Sequence, residues 1–535
     1  MGHTYYHPPN SGKREMISSF EIRYKDLLGR IAKLTLRGKT VETPAFVPVI
    51  NPVNQIIQPE TMKRDFGCNI VITNSLILYK RLRGEALRRG VHDVIGFDGV
   101  VATDSGGYQV LEYGDVDVGP LEIARFQEDI GTDIAIPLDR PTGLSRRGEA
   151  ERTVEDTIAN VRSTMDYLGG ERKSAWAVPI QGGLFRDLIE RCIEEYSGYD
   201  FDLYMLGSPT PLMSSYLYSK LVSMISYARQ VIDPGKPLHL FGAGHPMLFA
   251  LATAMGCDTF DSAAYILFAK EGRYMVAEGT FRLEQLTYLP CECRVCSGVS
   301  ANELRDMDDR ERMASLAYHN LNVCFREVDI VKQAIWEGRL FELLERRCRS
   351  HPALYEAFRL LLSDEPLLDL MERNTPISKR RGLFLFDVNS LGRPEIRRAV
   401  RILDALDVNR NGFESAVLIP RRVVTTKRLD SITEKVKGVV GTERCEVFTY
   451  GSPLGLVPLY LSYTYPFSHL VFPETLLEEC EEQAFRRASD ILRRGGFTRV
   501  HILGWGSEPV RGYLRRLYTY LETSLLGVDL ELRRV

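Results

Sequence analysis

Several short apolar runs of this 535-residue chain end on a polar group that can do chemistry. "VATDSGG" ends on Asp104 ahead of Ser105, Gly106 and Gly107, "TDIAIPLD" ends on Asp139, and "SAWAVPIQGG" carries Gln181. Asn74 closes "NIVITN", "FDLYMLGS" ends on Gly207-Ser208, and "TFDSAAY" sets Asp261 among apolar neighbours. Three carboxylates brought to one place repel one another, so the arrangement costs stability unless a reaction or a substrate requires it. Two acids across a site suit displacement at an anomeric carbon: one attacks C1′ and the other handles the leaving group's proton. The third acid would hold an amide-and-amine edge such as guanine N1–H and N2–H. Glycines in "DSGG", "IQGG" and "GAG" would let a planar ring come close, with Tyr108 and Phe241 stacked on its two faces. Each residue alone has a plainer reading. An Asp before Ser-Gly-Gly is ordinary turn chemistry, and Tyr108 and Phe241 are of types that commonly fill cores. The plain reading is weakest for Asp261, since an unpaired acid in an apolar run is costly.

A second cluster is "PCECRVC", which supplies Cys291, Cys293 and Cys296, with His319 further on in "SLAYHNL". Three thiolates and one imidazole suit a tetrahedral Zn²⁺, and with all four positions filled by protein such a site is structural. It would pin the following helix to the loop that carries the cysteines. The other seven cysteines are scattered singly, as reduced, buried thiols of a cytosolic chain are.

Positioning the acids requires a scaffold. Between residues 43 and 265, eight apolar runs alternate with longer amphipathic segments. This pattern predicts βα units and an α/β fold, a (β/α)8 TIM barrel, in which strand C-terminal ends face the active-site mouth. A doubly wound open sheet is the competing architecture, but "PVINPVNQ" after the first run is no phosphate-binding turn. From about residue 302, apolar positions at three- and four-residue spacing predict continuous helix. Farther on, strand-like "GLFLF", "SAVLIP" and "RVHILGW" alternate with Arg-rich helical segments. The expected organisation is an N-terminal arm (1–18), a catalytic barrel (19–362) with a zinc-binding insertion (about 288–325), and two small α+β C-terminal domains (363–430 and 431–535). With 68 Lys+Arg against 71 Asp+Glu, any basic surface must be local. No apolar window reaches the length of a membrane span, and "MGHTYYHPPNSGKREM" carries no apolar signal core, so the expected location is the cytoplasm.

In order and spacing, "DSGGYQV", "IQGG", "LFGAGHP", "TFDSA" and "CECRVC…H" resemble the tRNA-guanine transglycosylases over about residues 20–350. "KRRGLFLFDVNSLGRPEIRR" and "PLYLSYTYPFSH" resemble the additional domains of the archaeal branch. The resemblance implies exchange of guanine 15 in the tRNA D-loop for 7-cyano-7-deazaguanine (preQ0), on the route to archaeosine. It implies Asp261 as nucleophile and Asp104 as general acid/base, with Asp139 and Gln181 reading the base, Gly207 and Ser105 contacting it, and Phe241 with Tyr108 sandwiching it. Archaeal members commonly end in an RNA-binding PUA domain, and no such segment is evident here. tRNA affinity is then expected from a homodimer, from a separate PUA-bearing subunit, or from local cations. The candidate cations are Lys379, Arg380, Arg381, Arg393, Arg397, Arg398 and Arg401; Arg421, Arg422, Lys427 and Arg428; and Arg140, Arg146 and Arg147. Rival readings are an archaeosine-synthase-like paralogue, a non-catalytic tRNA-binding subunit, and a barrel glycosidase acting on free sugars. "YTYPFSH" lacks the Cys and Lys that the first would carry, both acids count against the second, and the cysteine cluster is left unexplained by the third.

Overall fold

Each of the eight apolar runs contains a strand: β1 (Ala45–Ile50), β2 (Ile70–Asn74), β3 (Val100–Asp104), β4 (Ile134–Ala135), β5 (Ala175–Ile180), β6 (Leu203–Leu206), β7 (Leu238–Leu240) and β8 (Thr259–Ser262). The computed structural model describes residues 17–107, 118–169, 172–426, 429–441, 444–505 and 512–534, and divides into two units, Met1–Leu360 and Leu361–Val535. In the first unit the eight strands close in sequence order into a barrel of parallel neighbours, with β8 paired to β1. Alternate residues point inward, so Val47, Ile70, Ile72, Val100, Ala102, Ile134, Ala175, Ala177, Leu203 and Met205 form one buried filling.

The end where the strands begin is plugged. Three antiparallel strands, Ser18–Asp26, Gly29–Leu36 and Lys39–Thr43, precede the barrel, and their Leu34, Leu36 and Val41 join its core. Arg37 donates to the carbonyls of Gly131 and Thr132, just ahead of β4, and Lys39 donates to Gly99 O, just ahead of β3. Only the opposite end, where strands finish on Asn74, Asp104 and Ser262, is left to build a site.

The long helix expected after 302 is Asp309–Glu337, started by the Asp308 carboxylate on the N–H groups of Arg310 and Glu311 and stopped at Gly338, whose φ is +70°. Among the described residues no helix is long and apolar enough to cross a membrane.

The second unit holds a five-stranded sheet: β9 (Ser415–Pro420), β10 (Cys445–Tyr450), β11 (Val457–Pro458), β12 (Arg499–Gly504) and β13 (Asp529–Arg534), ordered β11-β10-β9-β12-β13. All neighbours are parallel except β10 and β11. The expected division at 430 is not a boundary here, because it falls between β9 and β10, which pair along their full length. Leu383, Ile396 and Leu403 also share a buried cluster with Leu454, Phe467 and Leu476.

The structure also removes two members of the first basic cluster from the surface, while Arg380, Arg381 and Arg401 are exposed. Lys379 and Arg393 are buried and both pair with the buried Glu395, Arg393 Nε lying 3.0 Å from its carboxylate. Arg397 binds Glu365 at 2.8 Å and Asp369 at 3.2 Å, Arg398 donates to the carbonyls of Glu372, Thr375 and Pro376, and Arg401 pairs with Asp369. In the second cluster, Arg421 donates to Leu470 O at 2.8 Å and Arg422 to Glu474 at 3.3 Å; Lys427 and Arg428 lie outside the described residues. Removing the central charge with Glu395→Gln takes away the carboxylate that two buried cations share and should cost about 3–5 kcal/mol. Denaturant unfolding of the full chain checks this, and an unchanged midpoint would rule out the structural role.

Candidate active site and metal centre

A cavity of about 500 Å³ opens at the finishing end of the barrel. Of the residues singled out from the sequence, Asp104, Asp139, Gln181, Gly207, Phe241 and Asp261 all line it, with Asn74 and Ser208 beside them. Ser105 does not: it is fully buried outside the lining, its hydroxyl without a hydrogen-bond partner among the described residues. Tyr108 lies outside the described residues.

Each acid is met by a polar side chain from the next strand. Asn74 and Asp104 are register partners at the ends of β2 and β3. Asn74 Oδ1 caps the following helix by accepting from Ile77 N at 2.9 Å, which turns its amide NH2 toward the Asp104 carboxylate, 3.5 Å away. Asp139, past β4, accepts from Gln181 Nε2, past β5, at 2.7 Å. Asp261 on β8 faces His239 on β7, with Nε2 3.1 Å from Oδ1; that same oxygen accepts from Gly242 N at 2.8 Å. The other ring nitrogen of His239 lies 2.9 Å from Thr259 Oγ1, and the ring meets Phe241 edge-on at 5.0 Å. Asp261 Oδ1 is therefore held by two donors, while among the described residues no donor is assigned to Oδ2.

The glycines do something different from what the sequence suggests. A side chain on Gly107 would fall 2.1 Å from Asp139 Oδ1, and one on Gly207 would fall 2.2 Å from Gln181 Nε2. They make room for the polar side chains that would read a base. The Gly207 N–H is spent on Ile180 O at 2.9 Å, so no contact with a ligand can use it.

Burial, with the charges of Asp139 and Asp261 nearby, pushes the Asp104 carboxyl up to about 7. Burial also pushes Asp139 up to about 6, against the pull of the Gln181 amide. Asp104 can thus both give and take a proton near neutrality.

The cysteine cluster assembles as well. The ligand atoms of Cys291, Cys293, Cys296 and His319 lie within 4.8 Å of one another. His319 Nε2 donates to Met275 O at 2.8 Å, which leaves Nδ1, 3.4 Å from Cys296 Sγ and 3.7 Å from Cys293 Sγ, to face a metal. Tyr274 stacks on the imidazole at 3.6 Å and its hydroxyl lies 3.2 Å from Cys296 Sγ. Three sulfurs and one oriented imidazole fit a four-coordinate soft-ligand ion.

A family model described as queuine tRNA-ribosyltransferase matches residues 26–353. Curated tRNA-guanine(15) transglycosylases align over most of the chain. The protein of Methanosarcina barkeri is 40% identical over 467 residues, 86% of this chain and 89% of the relative. That of Haloferax volcanii is 40% identical over 495 residues, 91% of each, and that of Sulfolobus acidocaldarius is 36% identical over 493, 91% of this chain and 96% of the relative.

The chain belongs to the tRNA-guanine transglycosylase family. It is thereby a transferase, with an archaeal type of sequence. In this transglycosylase, His239 escaped sequence reasoning. A single His in "PLHLFGAG" reads as core, and its only sequence signal is being the polar residue two positions before Phe241 on a short strand. The cations expected near the mouth are largely engaged: Arg140 with Asp156 at 3.3 Å, and Arg147 with Glu151 at 2.7 Å and with Asp187.

The raised carboxyls fix a pH signature. Between the ordinary 3.8 and about 7, the native transglycosylase holds protons that the unfolded chain has lost. The stability this contributes is complete below pH 3.8 and lost as the pH rises through 7. Asp104→Asn, neutral at every pH, should therefore raise Tm above wild type at pH 8, with the gain shrinking toward zero at pH 4. Calorimetry at the two pH values decides it, since an equal gain at both would exclude a raised Asp104.

Proposed function

We propose that this transglycosylase exchanges guanine 15 of the tRNA D-loop for 7-cyano-7-deazaguanine by double displacement on the ribose, on the route to archaeosine. The observation that carries the reading is three carboxylates sharing one cavity, each bound to a side-chain partner, with one oxygen of Asp261 unassigned. Asp261 Oδ2 attacks C1′ and the C1′–N9 bond breaks, while Asp104 gives its proton to the departing guanine. The incoming base then loses its N9 proton to Asp104. Its N9 attacks C1′, the Asp261 ester opens, and two inversions return the original configuration. His239 and Gly242 N fix Oδ1, so Asp261 turns the other oxygen toward the sugar. Asp139 accepts from the N1–H and N2–H edge of the base, Gln181 donates to its carbonyl, and Phe241 covers one face. Tyr108 is assigned the other face and Ser105 a contact with the base on the family resemblance alone. The Gly207 contact is left to its carbonyl.

Cys291, Cys293, Cys296 and His319 would hold one Zn²⁺, which in a site with four protein ligands is structural and takes no part in proton or glycosyl transfer. The enzyme works in the cytoplasm. It draws its remaining tRNA affinity from a second copy of the chain or from a separate PUA-bearing subunit, since few of the described candidate cations stand free of acidic or carbonyl partners.

Incubation with tRNA and labelled guanine tests the chemistry. Wild type incorporates label, and Asp261→Asn should lose on the order of a thousandfold or more in rate. Incorporation that survives in the variant removes the nucleophile assignment, and none in wild type removes the exchange. For the metal, elemental analysis should return about one zinc per chain, with Cys296→Ser lowering both zinc content and Tm. Full zinc retention by that variant would contradict the ligand set.

A further inference from the structure

Ser208 is one of four described non-glycine residues with a left-handed backbone, at φ +66°, and it lies in the cavity wall next to Gly207. A side chain in this conformation costs stability that glycine would not incur. The chain keeps a serine there, and its hydroxyl donates to Gln181 Oε1 at 2.7 Å. The same oxygen also accepts from Thr142 N at 3.0 Å, so both of its lone pairs are occupied. Among the described residues, Gln181 Nε2 donates to Asp139 alone, which leaves one N–H over.

We infer that Ser208 is a specificity-determining residue: by filling the second lone pair of Gln181 Oε1 it makes the glutamine show the bound base a donor and no acceptor. A base with a carbonyl beside its N–H edge, such as guanine, is then accepted, and one with an amine at that carbon is refused. Asp139 enforces the neighbouring half of the pattern by accepting N–H. Without the hydroxyl, Oε1 gains a free lone pair facing a lined cavity, and an exocyclic amine can use it. The inference rests on the reading of Gln181 and Asp139 as the base-reading pair.

The full chain is assayed as wild type, Ser208→Ala and Ser208→Gly, with guanine and 2,6-diaminopurine as probes. Both are measured by equilibrium binding, and guanine also by incorporation into tRNA. Loss of the hydroxyl should weaken guanine binding roughly three- to tenfold and strengthen 2,6-diaminopurine relative to guanine by a similar factor, with KM for guanine rising more than kcat falls. Ser208→Gly should keep or raise Tm, because it removes the strained side chain, while losing as much selectivity as Ser208→Ala. Unchanged relative binding of the two bases in both variants overturns the inference. So does a selectivity loss that follows Tm, which marks a merely structural role. Wild-type binding of guanine without exchange would refute the proposed reaction but leave the selectivity test valid; no binding by wild type overturns both.

Discussion

Three carboxylates in one cavity can coexist only if something offsets their desolvation and mutual repulsion, and here each acid is met by hydrogen-bond donors. Asp104 has the Asn74 amide, Asp139 the Gln181 amide, and Asp261 the His239 ring with a backbone N–H. Among the described residues no Lys or Arg is paired with any of them. A guanidinium in any of these places would hold its carboxylate ionised well below neutrality. A neutral donor fixes the direction of a carboxylate while leaving its proton affinity high. This is why a buried aspartate near pH 7 is compatible with an ordered site.

The barrel supplies the donors through its pairing order. Each acid and its partner sit on adjacent strands or in the loops just past them, β2 with β3, β4 with β5 and β7 with β8, so strand adjacency brings each pair together, in direct register for Asn74 and Asp104. The plug of antiparallel strands at the other end commits every polar strand terminus to one mouth. Glycines 107 and 207 complete the fit by withholding side chains where Asp139 and Gln181 must lie.

Most of this was legible in the sequence because period and punctuation carry it. Eight apolar runs gave eight strands, and their polar ends gave six of the cavity's residues. What stayed hidden depends on contacts between distant positions. His239 looked like core until Asp261 came beside it. Lys379 and Arg393 looked like surface charge because nothing in a charge count reveals that Glu395 is shared between them. The division at 430 failed because parallel strands joined by long connections look, in sequence, like separate modules. Ser105 belonged to a motif whose neighbour Asp104 lines the cavity, yet it is itself fully buried and not part of that lining.

The seam between β8 and β1 is held by contacts very remote in sequence. Tyr265, just after β8, donates its hydroxyl to Val49 O at 3.0 Å across a separation of 216 residues, and receives Gln55 Nε2 at 2.9 Å. Asn320, next to the candidate metal ligand His319, donates to Tyr265 O. Closing so long a loop carries an entropic cost that these seam contacts help to offset. Asp261 stands on the strand that closes it. The closing strand thus carries one of the three cavity carboxylates, so the full set of acids comes together only once β8 has joined β1.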